Sequence, residues 1–154
     1  MADVDLTAGG VAGSLPAGPA HKLARLQMKL DFTSATGTNR DANDVLQLFN
    51  VAFCEVIHAC INVTVAEGGT ATADLGDGSD VDGFIDGADL NAVGLTRMVL
   101  ALTEAAPNTI TGYSSGKLYG STVDTIDLKV LNDMDAAVCY VMVDVIDYRV
   151  DDSA

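Results

Sequence analysis

Tryptophan is absent from this sequence of 154 residues, histidine occurs twice, and lysine and arginine together number eight. Each scarcity excludes something. Eight cations against 22 carboxylates leave a formal charge of −14, a field that repels phosphate backbones and anionic lipid headgroups while favouring solubility and basic partners. Neither nucleic acid nor a membrane is therefore an expected ligand. The three cysteines, Cys54, Cys60 and Cys139, lie in apolar runs with no CxxC pair. They make neither a disulfide framework nor a zinc site and read as buried, reduced thiols. The longest apolar run, Ala136 to Val143, is far too short to cross a bilayer. The first twenty residues lack the basic start and continuous apolar core of an export signal, so synthesis and folding in a reducing cytoplasm are expected.

What the chain does have is alternation. Its length and 49% apolar content suit one domain with a sizeable core. Ile57, Ala59, Ile61, Val63 and Val65 put apolar side chains at every second position; Glu67-Gly68-Gly69 turns the chain, and Ala71, Ala73 and Leu75 resume the pattern. Period-2 runs joined by paired glycines predict a hairpin with one buried face. Leu26, Met28, Leu30 and Phe32 form another half-buried strand. Val45 to Val51 is a less regular strand with a bulge, and Ile126, Leu128 and Val130 alternate again before an Asn132-Asp133 turn. The closing run, Ala137 to Val150, is apolar on both faces and is expected to be covered on both. Ala88 to Ala92 could make one helical turn, Arg97 to Leu102 reads as strand, and Gly112 to Gly120 as a loop or short edge strand.

Seven or eight strands without a long helix predict an all-β domain, a single antiparallel β-sandwich of jelly-roll type. Residues 1–24, rich in Gly, Ala and Pro, are expected to be an extended arm before a sandwich over 25–150 and an acidic tail over 151–154. The arm could lie free or on a neighbouring subunit.

Six aspartates, Asp74, Asp77, Asp80, Asp82, Asp86 and Asp89, fall within sixteen residues that hold no Lys or Arg. Calcium would relieve their repulsion. In an EF-hand-like register Asp80, Asp82, Gly83, Ile85 and Asp89 take ligand positions, with Asp86 between them, but Gly78 occupies the first and no helix precedes the loop. The competing reading is a turn whose Asp side chains cap backbone N–H groups. Gly112-Tyr113-Ser114-Ser115-Gly116 matches a GxSxG elbow in letters only, since no histidine follows His58 to complete a triad. His58 itself reads as structural. His21, Lys22 and Arg25 form the one basic cluster, which could meet an acidic partner surface. Neither a catalytic pair nor a cofactor motif stands out, so a mechanical or adhesive, non-enzymatic role is expected.

The run Thr64 to Gly87, with Gly76-Asp77-Gly78 and Asp80-Val81-Asp82-Gly83-Phe84-Ile85, resembles small structural proteins of tailed bacteriophages. Val123-Asp124-Thr125-Ile126-Asp127-Leu128, followed by Ala136-Ala137-Val138 and a long closing strand, is similar to the same group. The resemblance implies a capsid cement or decoration protein, made in the bacterial host's cytoplasm and placed on the virion exterior. It would bind the major capsid protein and itself, as a dimer or trimer, and bridge capsid subunits without catalysis or cofactor. The alternative from a different class is a calcium- or carbohydrate-binding β-sandwich module of a phage fibre or adhesion protein, with Tyr113 and Tyr119 stacking on sugar.

Overall fold

The alternation is met by ten β-strands and no helix among the residues that a computed structural model of the chain describes: the backbone of 3–5, and 22–33, 40–98, 113 and 116–149. The strands are β1 (Asp3–Asp5), β2 (Lys22–Asp31), β3 (Val45–Val51), β4 (Cys54–Val65), β5 (Thr72–Asp77), β6 (Ile85–Asp89), β7 (Gly94–Arg97), β8 (Lys117–Tyr119), β9 (Asp124–Val130) and β10 (Val138–Asp147). Most of the expected arm, with His21, lies outside the described residues, as do 99–112, Ser114, Ser115 and the tail 151–154. Residues 22–24 belong to β2.

Setting β1 and β8 aside, the remaining eight strands pair as nested antiparallel hairpins: β2 with β10, β3 with β9, β4 with β7, and β5 with β6. The nest is rolled so that its strands fall into two sheets, ordered β1-β3-β9-β5-β6 and β2-β10-β4-β7. This is the jelly-roll arrangement of a β-sandwich. β1 runs parallel to β3 and extends its edge. β8 shares the β4 edge with β7, lying beside Cys54 to Val56 while β7 lies beside Cys60 to Val63.

Two expectations about Ile57 to Leu75 need correction. β4 and β5 are not a hairpin, for they belong to opposite sheets. Glycine-rich turns between alternating runs mark a reversal of the chain, but they do not say whether the next strand pairs with the last or crosses to face it. The buried phase is also different. Val56 pairs with Val145 and His58 with Asp144, so Ile57 is an extra residue in a bulge. Cys54 and Val56 point inward before it, Ala59, Ile61 and Val63 after it, leaving Ile57 half-buried. A second shift, at Thr64, leaves Val65 48% exposed. A bulge inserts one residue and reverses the face of all that follow. The bulge expected in Val45 to Val51 is present at Leu48, whose neighbours Gln47 and Phe49 take up the register shift. Ala88 and Asp89 lie in β6, not in a helical turn, and Gly94 to Arg97 is strand, starting earlier than expected.

The core is the space between the sheets. Leu75, Ile126, Leu128 and Val130 from one sheet meet Ile61, Cys139, Val141 and Val143 from the other, all fully enclosed. β10, flanked by β2 and β4, buries its inner face completely and its outer face by half. All three thiols are buried and free, and burial pushes that of Cys139 up to about 12. The crossover from β4 to β5 is tied down by Glu67, whose Oε2 accepts the N–H groups of Ala136 (3.0 Å) and Ala137 (2.8 Å). Burial alone would raise the Glu67 pKa; the two N–H donors outweigh it and hold the carboxyl below its ordinary value of 4.5.

Leu75→Ala removes a side chain with 0% exposure and is expected to cost about 2–5 kcal/mol in urea unfolding. Glu67 has a depressed folded pKa, so its contribution is complete above pH 4.5 and is lost as pH falls through the folded value. Glu67→Gln is therefore expected to show a flatter loss of stability than wild type below that pH, read as denaturation midpoints across the acid range.

Candidate functional site

The residues with the most unusual chemistry are not in a surface cleft. They lie between the sheets. Asp77 ends β5 facing inward with no exposure at all. Lys117 and Tyr119, two apart on β8, face inward opposite Val56 and Cys54, while Leu118 between them is 70% exposed. Lys117 Nζ donates to Asp77 Oδ2, as does Tyr119 OH at 2.7 Å. Asp77 Oδ1 accepts from Tyr113 OH (3.1 Å) and from the backbone N–H groups of Ser79 (2.8 Å) and Asp80 (3.1 Å). Lys117 Nζ also donates to the Tyr113 oxygen at 2.6 Å and lies 4.2 Å and 5.1 Å from the ring centroids of Tyr113 and Tyr119.

Burial by itself would raise the Asp77 pKa, but the Lys117 ammonium, the Tyr119 hydroxyl and the Ser79 N–H hold it below the usual carboxylate range. Burial would likewise lower Lys117; its bonds to Asp77 and Tyr113 more than reverse that. Desolvation, then the neighbouring Asp77, drives the Tyr119 phenol far above its ordinary value. The cluster holds one anion, one cation and two neutral phenols joined by hydrogen bonds, with Asp77 and Tyr119 buried and Lys117 and Tyr113 partly so.

Two glycines make room for it. A Cβ on Gly76 would collide with the backbone of Asp80 and Val81, and one on Gly83 would collide with the Tyr113 ring. That ring also packs on Phe84, centroids 4.9 Å apart and tilted.

The six aspartates divide. Asp74 and Asp77 turn inward, and Asp74 Oδ1 accepts Gly87 N–H at 2.9 Å while burial raises its pKa. Asp80 is also raised, first by its hydrogen bond with Asp82 and then by burial. Asp86 and Asp89 are exposed on β6, where Asp89 Oδ1 accepts Asn91 N–H at 2.8 Å. Among the described residues no three His, Cys, Asp or Glu side chains are placed to hold a metal ion. Capping of backbone N–H groups by Asp77, Asp74 and Asp89 is what the segment displays. Tyr119, a candidate for sugar stacking by sequence, is 4% exposed, its ring turned into the sandwich.

Within the basic cluster, Lys22 is opposite Asp147 in the β2–β10 register. Arg25 grips Asp144 through Nε (2.7 Å) and Nη2 (2.9 Å), with His58 Nδ1 3.6 Å from the same carboxylate. Lys22 and Arg25 therefore lie on opposite faces of the edge strand β2, each opposite an aspartate of β10, and do not form one cluster. The sequence reading missed the partnership of Asp77 with Lys117, 40 residues away. Its signal was a run of aspartates with no local cation, together with a Lys-x-Tyr alternation that places a charge on the apolar face of a strand.

Removing the cation leaves the Asp77 charge buried without its counterion. Lys117→Met is expected to lower stability by about 3–5 kcal/mol, measured by chemical unfolding, whereas Leu118→Ala next to it should change little.

Neither a protein-family model nor a curated protein sequence matches the chain. The fold, however, is shared with chains in solved structures of phage capsids. A chain of the capsid of Ralstonia phage GP4 superposes with a TM-score of 0.64 at 12% identity, covering 95% of this chain and 98% of that one. A chain of the cyanophage Pam1 capsid asymmetric unit gives 0.61 at 12% identity, covering 92% and 96%. One from the acidic stable capsid of Helicobacter pylori bacteriophage KHP30 gives 0.56 at 14%, covering 82% and 89%. At these identities the likeness is one of fold: the whole jelly roll, nearly end to end, is the unit that is shared.

Proposed function

We propose that this chain is a non-enzymatic virion structural protein that decorates the exterior of a phage capsid and stabilises it by bridging major capsid protein subunits. The observation that carries this reading is the near full-length correspondence, in both directions, with chains of three phage capsid structures. A match of that extent concerns most or nearly all of this chain and of each of those chains.

The surface supports the reading. With a charge of −14 the subunit is repelled by packaged nucleic acid, which favours the outside of the shell. One stripe of the outer face of the β2-β10-β4-β8 sheet is apolar at both ends: Leu23 stands opposite Ile146, Ile146 opposite Glu55, and Glu55 opposite Leu118. Leu23 and Leu118 are each 70% exposed. Phe53 at the same end is exposed and held at φ 49°, a conformation bulky residues rarely adopt. Such strain at a turn is retained where the surrounding structure enforces it; here Phe53 N–H donates to Gly120 and Tyr148 N–H donates to the Phe53 carbonyl, each at 2.8 Å. Exposed apolar side chains on a rigid, highly charged protein suit contact with another subunit. Self-association as a dimer or trimer, with residues 1–24 reaching a neighbour, completes the proposal.

The test is addition of purified protein to phage shells that lack it, followed by sedimentation. Saturable co-sedimentation that makes the shells more resistant to heat is expected, and Leu118→Asp should weaken it. Protein that stays in the supernatant at all concentrations would rule the assignment out.

A further inference from the structure

We propose that Lys117 and Asp77 condense into an intramolecular isopeptide bond, Nζ to Cγ, that joins the two sheets covalently. The two carboxylate oxygens are partnered differently, and the difference matches what such a reaction requires. Oδ1 is surrounded by three donors, the N–H groups of Ser79 and Asp80 at 2.8 Å and 3.1 Å and the hydroxyl of Tyr113 at 3.1 Å. Oδ2 faces the amine of Lys117 and the hydroxyl of Tyr119, the latter at 2.7 Å. The first oxygen is held as an oxyanion would be; the second is placed to leave.

The steps balance without oxidant, cofactor or external nucleophile. A proton passes from Nζ to Oδ2 along their hydrogen bond, converting the ion pair into an amine and a carboxylic acid. The ion pair is the resting form; burial of Asp77, which has no exposed surface, opposes both charges and so lowers the cost of reaching the neutral pair from it. The Nζ lone pair attacks Cγ, and the electrons of the Cγ–Oδ1 double bond move to Oδ1, where the three donors stabilise the charge. Nζ then gives one proton to the Oδ2 hydroxyl, the Cγ–Oδ2 bond breaks, and Oδ2 departs as water while the Oδ1 double bond re-forms. The product is a secondary amide and one water. Fixing amine and carboxyl against each other supplies the proximity that makes an otherwise slow condensation accessible. The Lys117 side chain is one-fifth exposed, which gives the water a way out.

The consequence fits the topology. Asp77 belongs to the β1-β3-β9-β5-β6 sheet, and Lys117 lies on β8, which pairs with β4 of the other. β8 makes only three paired positions, Lys117 to Tyr119; a covalent bond would fasten this short strand to the sheet opposite.

Intact mass of the purified full-length chain, held at neutral pH and then unfolded, tests the proposal. The expected mass is one water below that of the sequence, with a proteolytic peptide in which the segment around Asp77 is linked to that around Lys117. Asp77 precedes Gly78, and dehydration to a cyclic imide there would give the same mass without the link, so the linked peptide decides. Tyr119→Phe keeps the ring and removes the hydrogen bond to the departing Oδ2; it is expected to slow appearance of the dehydrated species by about 10-fold, the loss of one hydrogen bond. The full sequence mass in wild type, or a water loss with no linked peptide, would overturn the proposal.

Discussion

A carboxylate cut off from water must be matched by donors from whatever strands surround it, and the Asp77 carboxylate sets that condition for one whole end of this sandwich. Its own strand, β5, can supply none, because a strand's N–H groups are spent on its ladder. The donors come from the turn that follows (Ser79 and Asp80), from Tyr113, and from Lys117 and Tyr119 on β8 in the opposite sheet. Each donor brings a constraint of its own. The turn must fold back over Gly76, where no side chain can be tolerated, and the Tyr113 ring must come close against Gly83. β8 must present two residues inward and one outward, and it does so by adding to the free half of the β4 edge. Inter-sheet spacing, turn shape and strand placement thus answer to one buried charge.

That end of the protein was also where sequence reasoning ran out. Period-2 alternation is a local signal, and it located the faces of Leu26 to Phe32 and Ile126 to Val130 correctly because those strands are regular throughout. It misplaced Ile57 because a bulge is decided by the partner strand: the extra residue exists only in relation to Val145 and Asp144 across the ladder. It made a hairpin of β4 and β5 because a glycine turn reads the same whether the chain returns in its own sheet or crosses to the other. Nested pairing of first strand with last is a property of the whole chain, invisible in any window of a few residues. Asp77 was legible as one of six acidic residues, and Lys117 and Tyr119 as isolated letters. What could not be read was that a roll of this kind carries β5 and β8 to opposite walls of one space.

Charge follows the same logic on the surface. Of the eight cations, Arg25, Lys29, Lys117 and Arg149 are each held by an aspartate, Asp144, Asp31, Asp77 and Asp147 respectively. Half of the scarce positive charge is thus committed to aspartates of the same chain, and carboxylates remain in large excess. A surface with a large excess of one sign resists indiscriminate association, since two copies approaching at random repel each other. Contact is then favoured only where short-range forces exceed that repulsion. The exposed apolar residues at the β2-β10-β4-β8 end, Leu23, Leu118 and the conformationally constrained Phe53, form one place where burial of apolar area can do so. A strongly acidic exterior with exposed apolar side chains at this end gives a small, rigid protein orientation as well as adhesion at any contact made there.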